Sequence, residues 1–493
     1  MTSTAALVWP ALAICLSIIT FLALRAPQKY VILKRFGFAR GSDRPSTPII
    51  EKQPLSKPLA SYTSDLVTAF PPSQREQLRE LLPKLSRAQQ EILGNLSFTQ
   101  ATFEPSLLRL EEDYNNADNS KYVYSGFSIR EIKALGDFPD YSTLSGVPMP
   151  NPYPDFDIDR AKPRPYRPLR WPYHQTMSLT KLEPDWWIEL ESTYKERITQ
   201  RKDLYAKHGP AVLQWLPGSE LACKELMEMA IQFICARYPK YFVLSEDSLW
   251  LENKILGVSA NIREKHPLLI ILDHIPEDFA ITLRDPDTGY YVFHAGIICS
   301  SLGWNLGTKI GLKLHEIHGP VPDYKQKMQF SMDRFFSKMT TNKPIQRGSW
   351  GPEVDQPLYM PPGDPHESYR HTQDQNITRS RLHLRVDWQT LRRLPLSGSI
   401  VFNFKALFTP IEEFRDEAYV PSLLLKVLRH GKENLKEYKN IWHTEHVLIP
   451  ALEEFETEQK ELGLMEKDWD VRTLDESPWF PQWEKKWRMQ QGF

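Results

Sequence analysis

A chain of 493 residues, 41% hydrophobic and 12% aromatic, is long enough for two or three domains around a sizeable core. Its formal charge of −1 gives no whole-molecule field to attract nucleic acid or an acidic partner. Four cysteines with no CxxC pair leave a zinc ribbon and a thioredoxin-type centre unsupported, and point to a reduced, cytosol-facing body.

The first element is an uncharged apolar run at residues 6–24, "ALVWPALAICLSIITFLAL". About 20 residues at about 1.5 Å each match one hydrocarbon core, so residues 1–25 are expected to form a transmembrane helix. Arg25, Lys29, Lys34, Arg35 and Arg40 follow it. That bias places the body on the cytosolic side of a single-pass protein, with the endoplasmic reticulum as the membrane considered. The sequons at Asn95 and Asn376 matter only if the body is lumenal.

Residues 26–60 are expected to be a linker, Pro- and Ser-rich from 41. Residues 61–147 begin with helical spacing at Leu78, Leu81, Leu82 and Leu85 and carry no assignable chemistry. Residues 148–172 are Pro-rich and hold Tyr153, Phe156, Tyr166 and Trp171, which favours a strap laid over the next domain.

From 173 to 450 the pattern is α+β. "DWWIELESTYKERITQRKDLYAKHG" and "SELACKELMEMAIQFICARYP" have helical spacing, and "HPLLIILDHI" suggests a short buried strand. "EDFAITLRDPDTGYYVFHAGIICS" is a hairpin about a DPDTG turn. "DYKQKMQFSMDRFFSKM" is helical, and "LHLRVDWQTLRRLPLSGSIVFNFKALF" is strand, turn, strand. Two further helices close the domain, and residues 451–493 form a tail with Trp479, Trp483 and Trp487 four apart. The tryptophan stripe suits a packed face or a membrane-interface anchor.

"KLHEIHGPVPDY" places His315 and His318 three apart before Gly-Pro-Val-Pro. Pro320 and Pro322 force any helix there to stop at His318 or Gly319. The pair suits a metal, a haem or an ordinary core turn, and spacing alone leaves all three open. Cys299 ends an apolar strand and suits packing better than thiolate ligation. Asp285 and Asp287 mimic a nucleotide-sugar DxD motif, although a tight turn wants Asp and Gly for backbone reasons. Arg385, Arg392 and Arg393 suit either surface charge or a clamp for carboxylates.

Five stretches occur in order: "WPYHQTMSLTKLEPDWWIEL", "PEDFAITLRD", "SLGWNLGTKIGLKLHEIHGPVPDY", "IQRGSW" and "LRVDWQTLRRLPLSGSIVFNFKALFTPI". Together they resemble the haem-dependent oxidative N-demethylase alpha-subunit-like family, common in fungi, over about residues 165–445. The resemblance implies a PAS-like antiparallel sheet with flanking helices, gripping haem b. It also implies oxidation of an N-methyl group on a small organic amine, released as formaldehyde. Electrons would come from NADPH through a separate flavin and iron–sulfur reductase.

Carried onto this chain, the resemblance makes His318 the proximal iron ligand, with His315 second. Arg385 and Arg392 become candidates for propionate contacts, and Trp304, Arg347 and Trp350 for pocket walls. The chain departs from the family at Arg385-Val386-Asp387-Trp388-Gln389-Thr390, where Arg-x-Glu-Arg-Gln-Thr is common, and at Ser349, where an Asn is common. The expectation is therefore a membrane-anchored haem-dependent monooxygenase. A non-catalytic haem sensor or carrier on the same fold is the alternative, and a membrane-anchored glycosyltransferase a weaker one.

Overall fold

The computed structural model describes residues 106–492 together with Ser86, Arg87 and Gln89. The apolar run at 6–24, the linker, most of the helical pattern at 71–96 and the sequon at Asn95 lie outside the described residues. No helix among the described residues is long and apolar enough to cross a membrane.

In chain order the helices are α1 (Ile129–Leu135), α2 (Tyr141–Ser145), α3 (Tyr194–His208), α4 (Glu220–Arg237), α5 (Pro267–His274), α6 (Leu314–Ile317) and α7 (Gln329–Lys338). They continue with α8 (Pro365–Tyr369), α9 (Val420–His430), α10 (Glu433–Tyr438), α11 (Trp442–Glu461) and α12 (Trp483–Gln490). The strands are β1 (Thr180–Lys181), β2 (Leu213–Trp215), β3 (Phe242–Leu244), β4 (Trp250–Asn253), β5 (Val258–Asn261), β6 (Asp278–Arg284), β7 (Tyr291–Ile297), β8 (Ile345–Val354), β9 (Leu382–Arg393) and β10 (Ile400–Pro410). The fold is thus α+β. Seven strands form one antiparallel sheet in the order β1-β8-β9-β10-β6-β7-β2, and β3-β4-β5 form a small second one.

Both faces of the large sheet are covered, and the period-2 geometry of a strand assigns each residue to one of them. On β9, Leu384, Val386 and Trp388 join the main core, while Leu391 belongs to a second cluster with Tyr324, Met332 and Phe336. On β10, Val401 and Leu407 join the main core and Ile400 joins the second cluster. A register shift at Ile281/Thr282 inserts an extra residue into β7. It lets Phe293 face one side while Ala295 and Ile297 face the other.

Two expectations fail. "HPLLIILDHI" is the helix α5, not a strand. Pro267 occupies its first turn and the His266 ring accepts from Leu268 N at 3.2 Å, which caps it. A short unbroken apolar run has no period to separate helix from buried strand. The helix expected from Asp185 begins only at Tyr194. Trp187 and Leu190 are buried in the segment leading to it, so their spacing was a coincidence of burial rather than a helical stripe.

The Pro-rich segment 148–172 packs against the elements around the sheet. Arg167 makes a bidentate pair with Glu417 at 2.7 Å on both arms, and Arg164 pairs with Glu189. Tyr166 is buried against Trp479. The tail closes over the strap: Trp479 stacks on Trp483 at 4.3 Å, and Trp487 donates to Lys162 O at 2.8 Å. The tryptophan stripe is therefore a packed face. Residues 106–147 are tied in too, through Tyr141 to Glu228 at 2.6 Å and Thr341 to Ser145 O at 2.8 Å.

The strap's closest approach to the sheet is at Gly348. A Cβ there would lie 2.7 Å from Tyr166 and 2.7 Å from Pro168. Gly348→Ala is expected to destabilise the protein by about 1–3 kcal/mol, read from urea unfolding.

Candidate functional site

Between the second face of the sheet and its cover lies a cavity of about 340 Å³, at the lower end of the range for small-molecule sites. Its floor is one alternating set of strand residues. Arg347, Gln389, Phe404 and Asp278 lie side by side across β8, β9, β10 and β6, with Leu391, Phe402 and Ala280 in the next row. Its cover comes from α6, the π turn Tyr324–Met328, α7, the segment 170–179 that runs on from the end of the strap, and the end of α10.

His318 lines this cavity. It caps α6, which stops one residue earlier because Gly-Pro-Val-Pro follows. Its Nδ1 lies 2.7 Å from Leu314 O. A carbonyl only accepts, so Nδ1 carries the proton and Nε2 keeps the lone pair. Burial pushes the imidazole pKa down to about 4, opposed by the Leu314 carbonyl and reinforced by Arg347 and Lys309. The ring is therefore neutral at physiological pH. Tyr324 stacks on it at 5.1 Å and Trp304 lies at 5.7 Å, which fixes its plane.

The cavity is rich in cations. Its three carboxylates are all engaged: Asp278 by Arg201, Glu353 by Arg370 at 2.9 Å, and Asp387 by Arg385 at 2.8 Å. Four lining cations have no carboxylate at ion-pair distance among the described residues: Arg170, Lys309, Arg347 and Lys439. Arg347 donates to Gln389 Oε1 at 3.2 Å, but its buried Nε has no partner, and burial lowers its pKa. Arg170 donates to Thr176 Oγ1 at 2.7 Å and to Ser178.

Lys439 is deeply buried beside the Trp350 ring, 4.5 Å from its centroid, and donates to Trp350 O. Burial pushes its pKa down to about 7, with Arg347 adding to the effect and Asp387 opposing it.

The structure separates the residues singled out in the sequence. His318, Trp304, Arg347, Trp350 and Arg385 line the cavity; His315 and Arg392 do not. His315 lies against Tyr290 at 5.3 Å. Arg392 falls on the other face of β9, where its guanidinium sits 4.2 Å over the buried Trp187 ring. Strand alternation alone could have told Arg392 from Arg385. Arg385 is held by Pro357 O at 2.7 Å, Ser300 O at 2.5 Å and Asp387. Cys299 is buried outside the cavity, its thiol pushed up to about 12 chiefly by burial. Asp285 accepts from Asp287 N and from Thr288 within the hairpin turn, so the DxD resemblance is turn chemistry. Among the described residues no cluster of three His, Cys, Asp or Glu could hold a metal ion. Lys439, Arg170, Tyr173 and Tyr438 also line the cavity; Tyr173 stands in the first of the five ordered stretches and Arg170 in the Pro-rich strap, but neither spacing nor residue type marks any of the four as a site residue.

A family model described as "Haem-dependent oxidative N-demethylase, alpha subunit-like" matches residues 178–449. The chain belongs to this family. The match spans the strands and helices that build the cavity, from just after the strap to within α11. The residues present fit a haem. The cavity offers a neutral imidazole with one nitrogen anchored, apolar walls from Val321, Phe336, Phe402 and Phe404, and surplus cations for two propionates.

Lys439 makes the fold's stability pH-dependent. Below pH 7 the ammonium is charged in both states and the folded chain bears the full cost of burying it. As pH rises from about 7 towards 10.5 the unfolded chain holds the proton that the folded chain has lost, so stability rises. The urea midpoint of the wild type is expected to climb relative to Lys439→Met over this interval.

Proposed function

We propose that this chain is a haem-dependent oxygenase that oxidises a small amine or related substrate, with His318 as the iron ligand. The observation that carries the proposal is the state of His318: neutral, oriented by the Leu314 carbonyl, and placed on an apolar cavity with surplus positive charge. The family's haem dependence supports the cofactor. We take haem b and a PAS-like cradle as the specific form, because four cations without a carboxylate partner among the described residues suit two propionates and the antiparallel sheet supplies one wall.

When bound, haem supplies the oxygen chemistry of N-methyl oxidation. The chain's own residues hold and shape. His318 Nε2 would ligate the iron, while Nδ1 stays protonated on Leu314 O and sets the ring's orientation. Arg347 and Arg170 are the candidates for propionate contacts, since Arg347 has a buried unpartnered Nε and both border the same cavity. Phe402, Phe404 and Phe336 give the floor and cover their apolar surface. Arg385 holds Asp387 and two loop carbonyls together and so keeps the far wall in place.

The sequence contains no Gly-rich dinucleotide fingerprint and no cysteine cluster for iron–sulfur, which supports a separate NADPH- and flavin-dependent reductase as partner. The apolar run at 6–24 with its following basic residues supports a membrane tether with the body on the cytosolic side.

The test is the visible spectrum of the full chain, purified and after added haemin. A Soret band is expected in the wild type and in His315→Ala, and is expected to be lost or shifted in His318→Ala. Reductase-dependent formaldehyde release on adding an N-methyl amine is the catalytic readout. A stable Soret band without formaldehyde release, across a panel of N-methyl amines, would mark a haem sensor or carrier instead.

A further inference from the structure

The charge of the cavity bears on which substrates it accepts. A small dialkylamine is a cation at neutral pH, and a buried cation needs a carboxylate or an aromatic cage free to receive it. This cavity has no free carboxylate among the described residues. Asp278 is taken by Arg201 and by Cys299 N and Ser300 N, Glu353 by Arg370, and Asp387 by Arg385. Two of the aromatic faces at the cavity are already occupied: Lys439 lies over the Trp350 and Tyr173 rings.

Four lining cations remain without carboxylate partners among the described residues: Arg170, Lys309, Arg347 and Lys439. Two propionates leave two of them uncompensated. If the amine of Lys439 is neutral one still remains, because the arginines and Lys309 keep their charge. Uncompensated positive charge in a site walled by Phe336, Phe402 and Met332 repels an ammonium and attracts an anion.

We propose that the substrate carries a carboxylate or an equivalent anionic group, received at the end of the cavity formed by Lys439 and Ser349. An N-methylated amino acid fits this class; a bare dialkylamine does not. The proposal rests on the oxygenase function proposed above and deepens it. Lys439 is well suited to the role. It ends α10 and reaches the cavity from its edge, where Arg347 and Asp387 act on it electrostatically and Tyr173 lies 5.6 Å away. An arriving carboxylate would stabilise its protonated form, so binding should take up a proton near pH 8. The charged groups that act on it are Asp387 and Arg347, the titratable ring it lies over is Tyr173, and its own side-chain hydrogen bond goes to Trp350 O.

The experiment uses the full chain loaded with haemin and three probes of similar size: N,N-dimethylglycine, isobutyrate and dimethylamine. Binding is followed by the Soret difference spectrum and, independently, by calorimetry in two buffers of different ionisation heat. Dimethylglycine and isobutyrate are expected to bind at least about tenfold tighter than dimethylamine, with proton uptake. Lys439→Met should remove the proton uptake and most of the preference, and Lys439→Gln should keep part of the preference without the uptake. Dimethylamine binding as tightly as dimethylglycine would overturn the proposal, and needs no variant to fold. The two readings fail separately. A Soret band with dimethylamine preferred keeps the haem and removes the anion site. No Soret band, with calorimetric binding of isobutyrate over dimethylamine, removes the haem and keeps the anion site.

Discussion

Strands β9 and β10 are buried on both faces, and the two faces have different tasks. Along β9, Leu384, Val386, Trp388 and Thr390 go into the core, while Arg385, Asp387, Gln389 and Leu391 go to the cavity. A slip of one residue would exchange the two sets, placing two charges in the core and a tryptophan in the cavity. The cost of that exchange is what holds the register, and with it every distance in the site. The bulge in β7 serves the same end by moving Phe293 onto the cavity side without displacing Ala295 and Ile297 from the core.

Polar groups buried beneath the sheet fix its register further. Glu277 accepts from Glu189 N at 2.9 Å and from Asn403 on β10, and Lys405 donates to Glu189 O. Glu225 on α4 accepts from Leu396 N and Ser397 N, which pins the turn between β9 and β10. Burial raises both carboxyls to about 7, against the hydrogen bonds that favour their charged form. Such groups are costly unless satisfied, so they tolerate few alternative pairings. Arg393 ties the cover to the sheet: its guanidinium donates to Met339 O, Phe336 O, Gly398 O and the Tyr291 hydroxyl. The helix over the cavity is therefore anchored at its C-terminal end by the last residue of β9.

The same separation of faces explains the site's electrostatics. Carboxylates at the cavity are each held by an arginine, whereas several cations are held only by carbonyls, hydroxyls or aromatic rings. Neutral acceptors orient a cation without cancelling its charge. The cavity thereby combines a neutral imidazole with a positive surround, a setting that favours anionic groups on whatever it holds.

Much of this was legible in the residues. The DPDTG hairpin, the strand-turn-strand of β9 and β10, the helices α4, α9 and α11, and the stop at His318 all follow from local pattern, because alternation, helical period and proline act within a few residues. The five ordered stretches also identified the family. Other features needed the tertiary structure. Residues 267–274 lack a period, so their apolar pattern alone did not separate a helix from a buried strand. His315 and His318 are three apart in a single helical turn, and only the position of α6 over the sheet decided which one meets the cavity. Arg385 and Arg392 differ by an odd number of residues and so lie on opposite faces, but which face holds the cavity depended on where α7 and the strap came to rest. Lys439 and Arg170 have no local signature, and Tyr173 has none beyond its place in the first of the five stretches. Their role arises from contacts across long stretches of chain, which composition and spacing do not encode.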